Sequence, residues 1–524
     1  MAQSPYILAI DHGTSGIKAA IVSVYGEIID FEFEPTPIHY LPGGGAEQNP
    51  EDWWAALLTA AGRLISKQSV KPENISAVAV SSTFSTTVAV DKNGQPLMNA
   101  LTWMDSRGAP YVKKLMQGFP SIEGYGLPMI LKWLPKTGGG PTLSGKDDIA
   151  HVLLIQNEYP QIYENTFLFL PSKDYLNFRL TGRFAASYDS MQLFWVSDIR
   201  DINHIKYDDR LIRLAGIDRD KLPAMTASTD RLGKLRPDVA KEIGLGPGID
   251  VIVSSPDHQT ACIGSGAVTD YAGHLYIGTS SWVQAVVPFK KTDVFHSIAS
   301  FPTAIPGKYQ SVNEQDMAGG CLNMLWHNIL FYKNQLCTTP LENPYPYLDD
   351  IAKAVPAGSD HLIFLPWLNG ERTPVDDTTL RGGFYNMAKT HTQNHLIRSV
   401  LEGVALNCRW SLTYVERFVR RKLSPLNFIG GGAQSDLWCQ ILADVLNRDI
   451  RQVSHPMQAN ARGAAFIGAV GLGFIDFSDI PGLIRFQHTY HPQPENQEVY
   501  DRLYAAFLDI YKKNRSIYRK LNRS

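Results

Sequence analysis

The sequence predicts an α/β protein with mixed β-sheets, and three observations support this prediction. Apolar, β-branched segments alternate along the chain with amphipathic ones, which is typical of sheets covered by helices. The chain has 524 residues, too many for a single hydrophobic core, so we expect two domains. A hairpin pattern built on Gly-Thr-Ser occurs twice, at Gly13 and at Gly278, half a chain apart.

The first predicted elements are a hairpin, a helix and a strand. "YILAID" and "GIKAAIVS" read as strands joined by a glycine-containing turn. The segment "NPEDWWAALLTAAGRLIS" predicts a helix, because Asn49 is a suitable N-cap, Pro50 takes the first position and acidic residues follow. "ISAVAVSST" is then a strand, and its continuous apolar run predicts cover on both faces.

The alternation continues to the end of the chain. "GIDVIVSS" is a strand that leads into the loop "PDHQ", "QTACIGSGAV" is a helix of small residues, and "LNFIGGGAQSDLWCQILADVL" is a strand, a turn and a helix. The second hairpin begins just after "SGAVTDYAG", so we place the domain boundary near residue 268, which gives domains 1–267 and 268–524. The segment from Pro135 to Asp148 is predicted to be an exposed excursion within the first domain.

Composition and charge exclude several classes of protein. A net charge of -2 provides no general attraction for nucleic acid or an anionic membrane. The basic C-terminal segment "YKKNRSIYRKLNRS" is predicted to be a solvated helix end. The longest membrane-like run, "GAAFIGAVGLGFI", is too short to cross a bilayer and predicts a buried helix.

The five cysteines and the N-terminal segment indicate the cellular compartment in which the protein is expected. No two cysteines form a C-x-x-C pair, which favours a reducing environment without disulfides. The first residues lack a basic region, and Asp11 interrupts their apolar run, so we expect no signal peptide. The expected location is therefore the cytoplasm.

The repeated hairpin predicts a site for a polyphosphate. Glycine lets backbone N–H groups approach an anion closely, and successive N–H groups in a tight turn form a concave anion site. Two such hairpins half a chain apart predict a duplicated fold in which both face a shared cleft. Only the first copy carries an acid, Asp11, which would be repelled by phosphates unless it reaches Mg²⁺ directly or through water.

Three other motifs resemble known binding motifs but do not predict the corresponding sites. "GPTLSGKD", Gly140 to Asp147, lacks the hydroxyl that a phosphate loop places on Mg²⁺, and no strand precedes it. His391 and His395 lack a third metal ligand and are expected at a surface helix start. The first glycine turn is a hairpin without G-x-G-x-x-G, which excludes a nicotinamide dehydrogenase.

A phosphoryl acceptor needs a base, and Asp257 is the candidate. It follows a strand and precedes a helix, close to the domain boundary, where a carboxylate would face the cleft. We expect the N–H groups of the helix N-terminus to keep it ionised. The turn "IGGGAQSD", Ile429 to Asp436, leaves a strand and opens a helix, and its glycines would let the backbone lie against a planar ring.

In combination these segments resemble the FGGY carbohydrate kinases of the actin-like ATPase superfamily, over nearly the whole chain and in order. The resemblance rests on "DHGTSGIK", "GGGAEQNPEDWW", "LTWMDSRG", "YPQIYENTFLFLPSKDYLNFRLTG", "PDHQTACIG", "IGTSSWV", "LNGERTP" and "IGGGAQSDLWCQILADVL". The last three look most like xylulose kinases. The resemblance implies two ribonuclease-H-like domains with a catalytic cleft between them, and ATP- and Mg²⁺-dependent transfer of the γ-phosphoryl group to a sugar hydroxyl.

The resemblance also implies roles for individual residues. Asp257 matches the family's base, and Asp11 and Asp257 lie where the metal would be held. The first domain carries the sugar and the second the nucleotide. The residues expected at the nucleotide are Thr14, Ser15, Lys18, Gly278, Thr279, Gly319, Gly320, Gly432, Ala433 and Asp436. The residues expected at the sugar are Phe84, Ser85, Trp103, Asp105, Asp257 and His258.

The chain departs from the family where the sugar is expected. Xylulose kinases carry Gln-Met-His and glycerol kinases Gln-Arg-Glu where this chain has "TFS", Thr83 to Ser85. His258 follows the base where glycerol kinases have Gln, and the region near "LPMILKWLPKTGGG" is irregular, with an apparent insertion. A ketopentose such as xylulose is the first expectation, with gluconate, ribulose or a polyol as alternatives.

A different class also stays open at this point. A non-catalytic actin-like protein that uses ATP to switch conformation would share the hairpins, but Asp257 and "TWMD" argue against it. The expected partners are a small sugar and ATP, with no nucleic acid and no membrane. The sequence leaves the oligomeric state open, with a homodimer as one option.

Overall fold

The computed structural model describes residues 5–330 and 343–522 of the chain. Cys337 lies outside these ranges, and the other four cysteines are free and buried. The strands of the first half are β1 (Tyr6–Gly13), β2 (Gly16–Ser23), β3 (Ile28–Pro35), β4 (His39–Leu41), β5 (Gly45–Gln48), β6 (Ile75–Ser82), β7 (Thr87–Val90), β8 (Ala100–Leu101), β9 (Ser121–Ile122), β10 (Tyr125–Gly126), β11 (Leu168–Pro171), β12 (Ala186–Ser187), β13 (Ser197–Asp198), β14 (Lys206–Tyr207), β15 (Met225–Thr226), β16 (Arg231–Lys234) and β17 (Asp250–Ile252).

The remaining elements complete the predicted alternation. The helices of the first half are α1 (Pro50–Ser66), α2 (Ala109–Met116), α3 (Leu127–Thr137), α4 (Asp148–Glu158), α5 (Pro160–Asn165), α6 (Ser172–Thr181), α7 (Asp209–Ala215), α8 (Pro237–Ile243) and α9 (Asp257–Gly264). The strands of the second half are β18 (Gly273–Ile277), β19 (Ser281–Val287), β20 (Thr292–Asp293), β21 (Ile298–Pro302), β22 (Tyr309–Val312), β23 (Ile363–Leu365), β24 (Gly383–Tyr385), β25 (Leu426–Ile429), β26 (Ile450–Val453) and β27 (Phe486–Tyr490). Its helices are α10 (Gly319–Met324), α11 (Tyr345–Lys353), α12 (Gln393–Val419), α13 (Asp436–Leu446), α14 (Ala459–Gly471), α15 (Ile480–Leu483) and α16 (Pro494–Asn522).

The two halves repeat one sheet arrangement, as the duplicated hairpin predicted. The first sheet has the order β16-β17-β6-β1-β2-β3, and the second has β20-β21-β22-β19-β18-β25-β26-β27. In the first sheet, β17, β6 and β1 are parallel to one another, β2 is antiparallel to β1, and β3 is antiparallel to β2. In the second sheet, β26, β25 and β18 are parallel to one another, β19 is antiparallel to β18, and β22 is antiparallel to β19. The α/β class with two mixed sheets is confirmed.

Helix α1 shows how the local sequence signals work. The side chain of Asn49 accepts a hydrogen bond from Glu51 N, Pro50 takes the first turn, and Glu51 and Asp52 complement the helix dipole. Its buried face, which includes Trp53, packs against β2 and β3. Helix α16 carries the basic C-terminal segment as far as Asn522, as predicted.

Helices α9 and α14 form a layer that joins the two halves. Although α14 comes from the second half of the chain, it packs on β1 and β6 of the first sheet and against α9. A Cβ at Gly463 would lie 1.9 Å from the carbonyl oxygen of Thr260, and one at Gly264 would lie 1.8 Å from that of Ala459. The helices therefore cross at reciprocal glycines, and this crossing fixes the position of the α9 N-terminus. No helix in the described parts of the chain is long and apolar enough to cross a membrane.

The prediction that Pro135–Asp148 is an exposed excursion is wrong. The segment begins in α3 and ends in α4, and the residues between them are largely buried or half-buried. Asp147 is only 2% exposed and accepts a hydrogen bond from Trp195 Nε1 at 2.5 Å. Gly138 O accepts one from Thr292 Oγ1, on the second half of the chain, at 2.5 Å. The segment packs through glycines and backbone polar groups, so its composition did not reveal its burial.

Candidate active site

Three parallel strands of the first sheet end at one edge, and their ends carry the residues predicted to act in catalysis. Strand β1 ends at the first Gly-Thr-Ser turn, β6 runs into Thr83–Ser85, and β17 leads to Asp257. Asp11 on β1 lies opposite Ser81 on β6 in the register. Ligands of open α/β sheets bind outside the carboxyl ends of the strands, so this edge is the candidate site.

The first hairpin forms as predicted. β1 and β2 pair antiparallel as far as Gly13 and Gly16, so that Thr14 and Ser15 make the turn. Gly16 has a φ of 153°, and a Cβ there would lie 2.3 Å from the carbonyl oxygen of Glu34. Glycine is therefore required at this corner, and Ser15 is exposed at the tip.

Asp11 and Lys18 face each other across this hairpin. They are register partners, and the distance from Lys18 Nζ to Asp11 Oδ2 is 3.2 Å. Asp11 is 2% exposed, whereas Lys18 is half-buried. The cation predicted near the phosphates and the carboxylate predicted at the metal thus form one ion pair at the hairpin.

The second hairpin lies against the start of α10. β18 and β19 pair as far as Ile277 and Ser281, which leaves the predicted Gly278 and Thr279 in the turn. Gly319 N donates to Gly278 O at 2.9 Å, and Gly320 N donates to Thr279 O at 3.2 Å. A Cβ at Gly319 would lie 2.4 Å from Gly278 O, so the approach requires glycine. Two predicted nucleotide segments from different parts of the sequence are thereby brought together.

The third predicted nucleotide segment lies at the neighbouring strand end. β25 is parallel to β18, and a turn of 3-10 helix at Gly431–Gln434 connects it to α13. Gly432 and Ala433 are buried, while Asp436 is exposed and accepts a hydrogen bond from Gln452 Nε2 at 3.0 Å. The exposed glycine of the turn is Gly431, which was not among the residues expected at the nucleotide.

Asp257 opens α9 at the edge of the first sheet, and its side chain is half-buried. Its Oδ1 accepts a hydrogen bond from His258 N at 2.9 Å. Burial raises the pKa of Asp257 to about 8, with further increases from the negative charges of Asp11 and Glu314. The backbone N–H groups of His258 and Phe84 act in the opposite direction.

The prediction that the helix N-terminus keeps Asp257 ionised is therefore wrong for this structure. The N–H donors are present, but burial and two neighbouring carboxylates outweigh them. A carboxyl with a pKa of about 8 is mostly protonated at neutral pH, so Asp257 becomes available as a base as pH rises towards that value.

This pKa makes Asp257 a source of instability at high pH. The unfolded chain loses this proton near the ordinary Asp pKa and the folded chain only near 8, so folding stability falls as pH rises from about 4 to about 8. We expect Asp257→Asn to raise stability by on the order of 2 kcal/mol at pH 9, since the full shift is discounted for partial exposure. Thermal unfolding at pH 4 and pH 9 checks this, because the gain should be absent at pH 4.

The residues predicted at the sugar line one side of Asp257. The ring centroids of Phe84 and His258 are 6.0 Å apart, and Phe84 also contacts Phe301 at 6.3 Å. Ser85 has a φ of 56°, and its Oγ donates to Lys146 O at 2.7 Å. The Ser85 hydroxyl thus holds the segment before α4 in place.

Trp103 and Asp105 play different parts in the structure. Trp103 Nε1 donates to Thr14 Oγ1 at 2.9 Å, which ties the predicted sugar loop to the first phosphate hairpin. The Asp105 carboxylate is fully buried, and it accepts from Ala46 N at 3.0 Å and from Arg107. Its oxygens already have donors, and a direct contact between Asp105 and the sugar stays a prediction.

Sequence reasoning missed a group of charged residues at this site. Arg372 forms ion pairs with Glu314 and, at 3.2 Å, with Asp316. Glu314 lies close enough to raise the pKa of Asp257. Lys146 is half-buried, and its pKa is lowered by burial and by Arg372. Arg372 lies in "LNGERTP" and could have been singled out there, whereas Lys146 lies in the segment predicted to be exposed.

No group of three or more His, Cys, Asp or Glu side chains in residues 5–330 and 343–522 is arranged to hold a metal ion. His395 instead caps α12 through Thr392, as expected of a helix start. Asp11 lies close enough to Asp257 for its charge to raise the pKa of that carboxyl. Mg²⁺ is usually held by one or two carboxylates together with substrate phosphates, and this pair fits such a site.

Comparison with known proteins identifies a family of which the models match this chain, and similar proteins within that family. The model for the "FGGY family of carbohydrate kinases, N-terminal domain" matches residues 6–264, and the corresponding C-terminal domain model matches residues 275–472. A xylulose kinase from Staphylococcus epidermidis is 27% identical over 98% of this chain and 97% of its own. A gluconokinase from Bacillus subtilis is 26% identical over 96% of this chain and 95% of its own. The crystal structure of a ligand-bound xylulose kinase from Lactobacillus acidophilus superimposes with a TM-score of 0.85, at 24% identity, over 99% of this chain and 100% of that one.

Proposed function

The chain belongs to the FGGY family of carbohydrate kinases, and on that premise we propose that it transfers the γ-phosphoryl group of ATP to a hydroxyl of a ketopentose such as xylulose. As a carbohydrate kinase, it is a phosphotransferase whose acceptor is an alcohol group. Its fold is the two-domain fold of solved sugar kinases.

The observation that carries the proposal is the position of Asp257. It lies at the carboxyl edge shared by β1, β6 and β17, beside Asp11 of the first glycine hairpin and close to Glu314 of the second half of the chain. A base between two phosphate-binding hairpins is the arrangement that phosphoryl transfer to a bound alcohol requires.

The positions of these groups suggest the role of each in the proposed reaction. The backbone N–H groups of the two hairpins hold the triphosphate from opposite sides. Gly319 lets the start of α10 lie against the second hairpin. Asp257 accepts the proton of the sugar hydroxyl as that hydroxyl attacks the γ-phosphorus. Trp103 couples the sugar loop to the first hairpin through its hydrogen bond to Thr14. Phosphoryl transfer needs little covalent chemistry, so positioning and charge neutralisation supply most of the rate.

We also propose Asp11 and Asp257 as the protein groups nearest to Mg²⁺. When bound, Mg²⁺ neutralises the developing charge on the phosphate oxygens. Asp11 and Asp257 would hold it, directly or through water, next to the cation of Lys18, which pairs with Asp11. Isothermal titration with ATP, with and without Mg²⁺, on the wild type and Asp11→Asn tests this. We expect the Mg²⁺-dependent gain in ATP affinity to disappear in the variant.

An acceptor panel tests the proposed function. ADP formation is measured with D-xylulose, D-ribulose, D-gluconate and glycerol, each against a reaction without acceptor. We expect xylulose to give the largest kcat/KM. ADP release that no acceptor stimulates would instead support an ATP-driven switch protein and would contradict the proposal.

A second candidate substrate, gluconate, is favoured by Lys146. Its ammonium makes no hydrogen bond or ion pair within the part of the chain that the structure describes. Arg372 nearby is already neutralised by Glu314 and Asp316. A half-buried cation without a paired carboxylate is suited to the carboxylate of an aldonate. The related gluconokinase makes this alternative worth a direct test.

Replacing Lys146 by methionine distinguishes the two substrates. If the protein acts on gluconate, the change should raise the gluconate KM by about 30-fold, since the carboxylate loses a charge-assisted partner. If it acts on a ketopentose, the change in KM should stay within about threefold. Lys290→Met is the matched control, because Lys290 is also half-buried but donates to the backbone carbonyls of Leu134 and Pro135.

A further inference from the structure

The imidazole of His258, next to the proposed base, is held at one edge by a glutamine of the second half of the chain. His258 Nδ1 lies 2.7 Å from Gln284 Nε2, on β19. His258 Nε2 has no hydrogen-bond partner in the described parts of the chain. One ring nitrogen is therefore fixed by the protein, and the other is available to a ligand.

Two backbone carbonyls decide which atoms donate in this contact. Gln310 bonds to His258 O at 2.9 Å, and since a carbonyl only accepts, Gln310 presents its amide nitrogen there. The same nitrogen lies 2.5 Å from Gln284, so that atom of Gln284 is its acceptor oxygen. Gln284 bonds to Asn313 O at 3.0 Å, which again requires the amide nitrogen.

The tautomer of His258 follows from this chain of contacts. The nitrogen of Gln284 donates one hydrogen to Asn313 O, so its second hydrogen points to His258 Nδ1. Nδ1 must then accept, and the ring proton of neutral His258 lies on Nε2.

The ring plane is fixed as well as the tautomer. Trp282 stacks on His258 with a centroid distance of 4.3 Å and an interplanar angle of 26°. Phe84 lies 6.0 Å away, at 56° to the imidazole. Trp282 is itself held by a hydrogen bond from its Nε1 to His274 Nε2 at 3.0 Å. The imidazole therefore has little freedom to rotate, and its Nε2–H is a preorganised donor.

We propose that Gln284 and Gln310 are positioning residues: they hold His258, a residue already expected at the sugar, in the tautomer whose Nε2–H donates to an oxygen of the acceptor. This rests on the proposed function and adds to it the two residues that set the hydrogen-bond donor next to Asp257. Gln284 and Gln310 lie on β19 and β22, so recognition of the sugar by the first half depends on the position of the second sheet.

Substitutions that keep or remove the donor test the role of His258. We expect His258→Phe, which keeps a ring for Trp282 but has no donor, to raise the acceptor KM by about tenfold or more. His258→Gln retains an N–H donor and should recover most of that loss. The KM for ATP should change less than about twofold in both variants.

A double-mutant cycle tests whether Gln284 acts through His258. We expect Gln284→Met to raise the acceptor KM in the wild type and to have almost no further effect in the His258→Phe background. Gln440→Met is the matched control for losing a glutamine: Gln440 donates to His491 O at 2.9 Å and to Asp444, and it does not contact this group. An equal effect of Gln284→Met in both backgrounds would overturn the positioning role.

A spectroscopic measurement decides the tautomer independently of activity. In wild-type protein labelled with ¹⁵N at its 14 histidines, the signals missing in His258→Phe belong to His258. We expect the shifts of a ring protonated at Nε2, and their loss in Gln284→Met. A ring protonated at Nδ1 would overturn the proposal. If no acceptor stimulated ADP formation, the proposed function would fail, while this measurement would still decide the hydrogen-bond assignment.

Discussion

Replacing Asp257 by asparagine is expected to lower kcat by about 10³-fold, since general-base assistance of this kind contributes roughly 10²–10⁴-fold. The amide keeps the shape of the side chain and loses the ability to accept the proton of the sugar hydroxyl. ATP affinity measured without Mg²⁺ should change little, because we propose that the hairpins at Gly13 and Gly278 hold the triphosphate through backbone groups. Steady-state ADP formation measures kcat, and calorimetric titration measures ATP binding.

The control lies on the strand that leads to Asp257. Asp250 starts β17 and pairs with Lys234 at 2.8 Å, at the opposite end of the strand from the site. Asp250→Asn should change kcat less than about twofold, because its ion pairs with Lys234 and Arg231 lie away from the site. If Asp257→Asn retained more than a tenth of the wild-type kcat, Asp257 would not be the base.

The pH profile gives the same assignment a second check. Because burial and the neighbouring carboxylates raise the pKa of Asp257 to about 8, the free enzyme carries the ionised base only at higher pH. We expect log kcat/KM to rise with pH through that value and then level off. A flat profile between pH 6 and 9 would contradict the role of Asp257.

Replacing Gly463 by alanine is expected to destabilise the protein by about 3 kcal/mol, at the upper end of overpacking costs. The added Cβ would lie 1.9 Å from Thr260 O, a backbone atom of α9 that cannot rotate away. The two helices must separate, and α9 carries Asp257 at its N-terminus. Activity at permissive temperature should therefore fall together with the melting temperature.

Gly62 supplies the matched substitution. It also lies within a helix, α1, but a Cβ there would meet nothing within 4 Å. Alanine is the better helix former, so Gly62→Ala should stabilise the protein by about 0.5–1 kcal/mol. Denaturant unfolding of both variants separates the contact from the general effect of replacing a helical glycine. A similar change in both proteins would show that the α9–α14 crossing tolerates a side chain.

Much of the fold was predictable because its signals are local. The cap at Asn49 and the apolar run of β6 depend on neighbours in sequence, and both elements formed as expected. The repeated Gly-Thr-Ser turn predicted the duplicated sheets, because the same hairpin motif half a chain apart indicates a repeated fold. The residues of "TFS" and His258, which the fold brings together, mark the region where we expect the substrate to differ from that of related kinases.

The errors arose where distant segments meet. The segment Pro135–Asp148 looked exposed because its composition is rich in glycine and contains two prolines, yet it is held by Trp195 and Thr292. The ionisation of Asp257 was judged from its own helix, whereas Asp11 and Glu314 lie far away along the chain. The glutamines that fix His258 have no local motif at all.

The sequence by itself determined the strands, helices and glycine turns, and through their repetition the two-sheet α/β class. Only the tertiary structure decided the proton affinity of Asp257, the tautomer of His258 and the burial of the segment around Lys146. The physical reason is the separation along the chain over which each kind of interaction acts. Propensity, capping and turn geometry act within a few residues, whereas desolvation, charge and hydrogen bonding depend on whichever groups the fold brings close together.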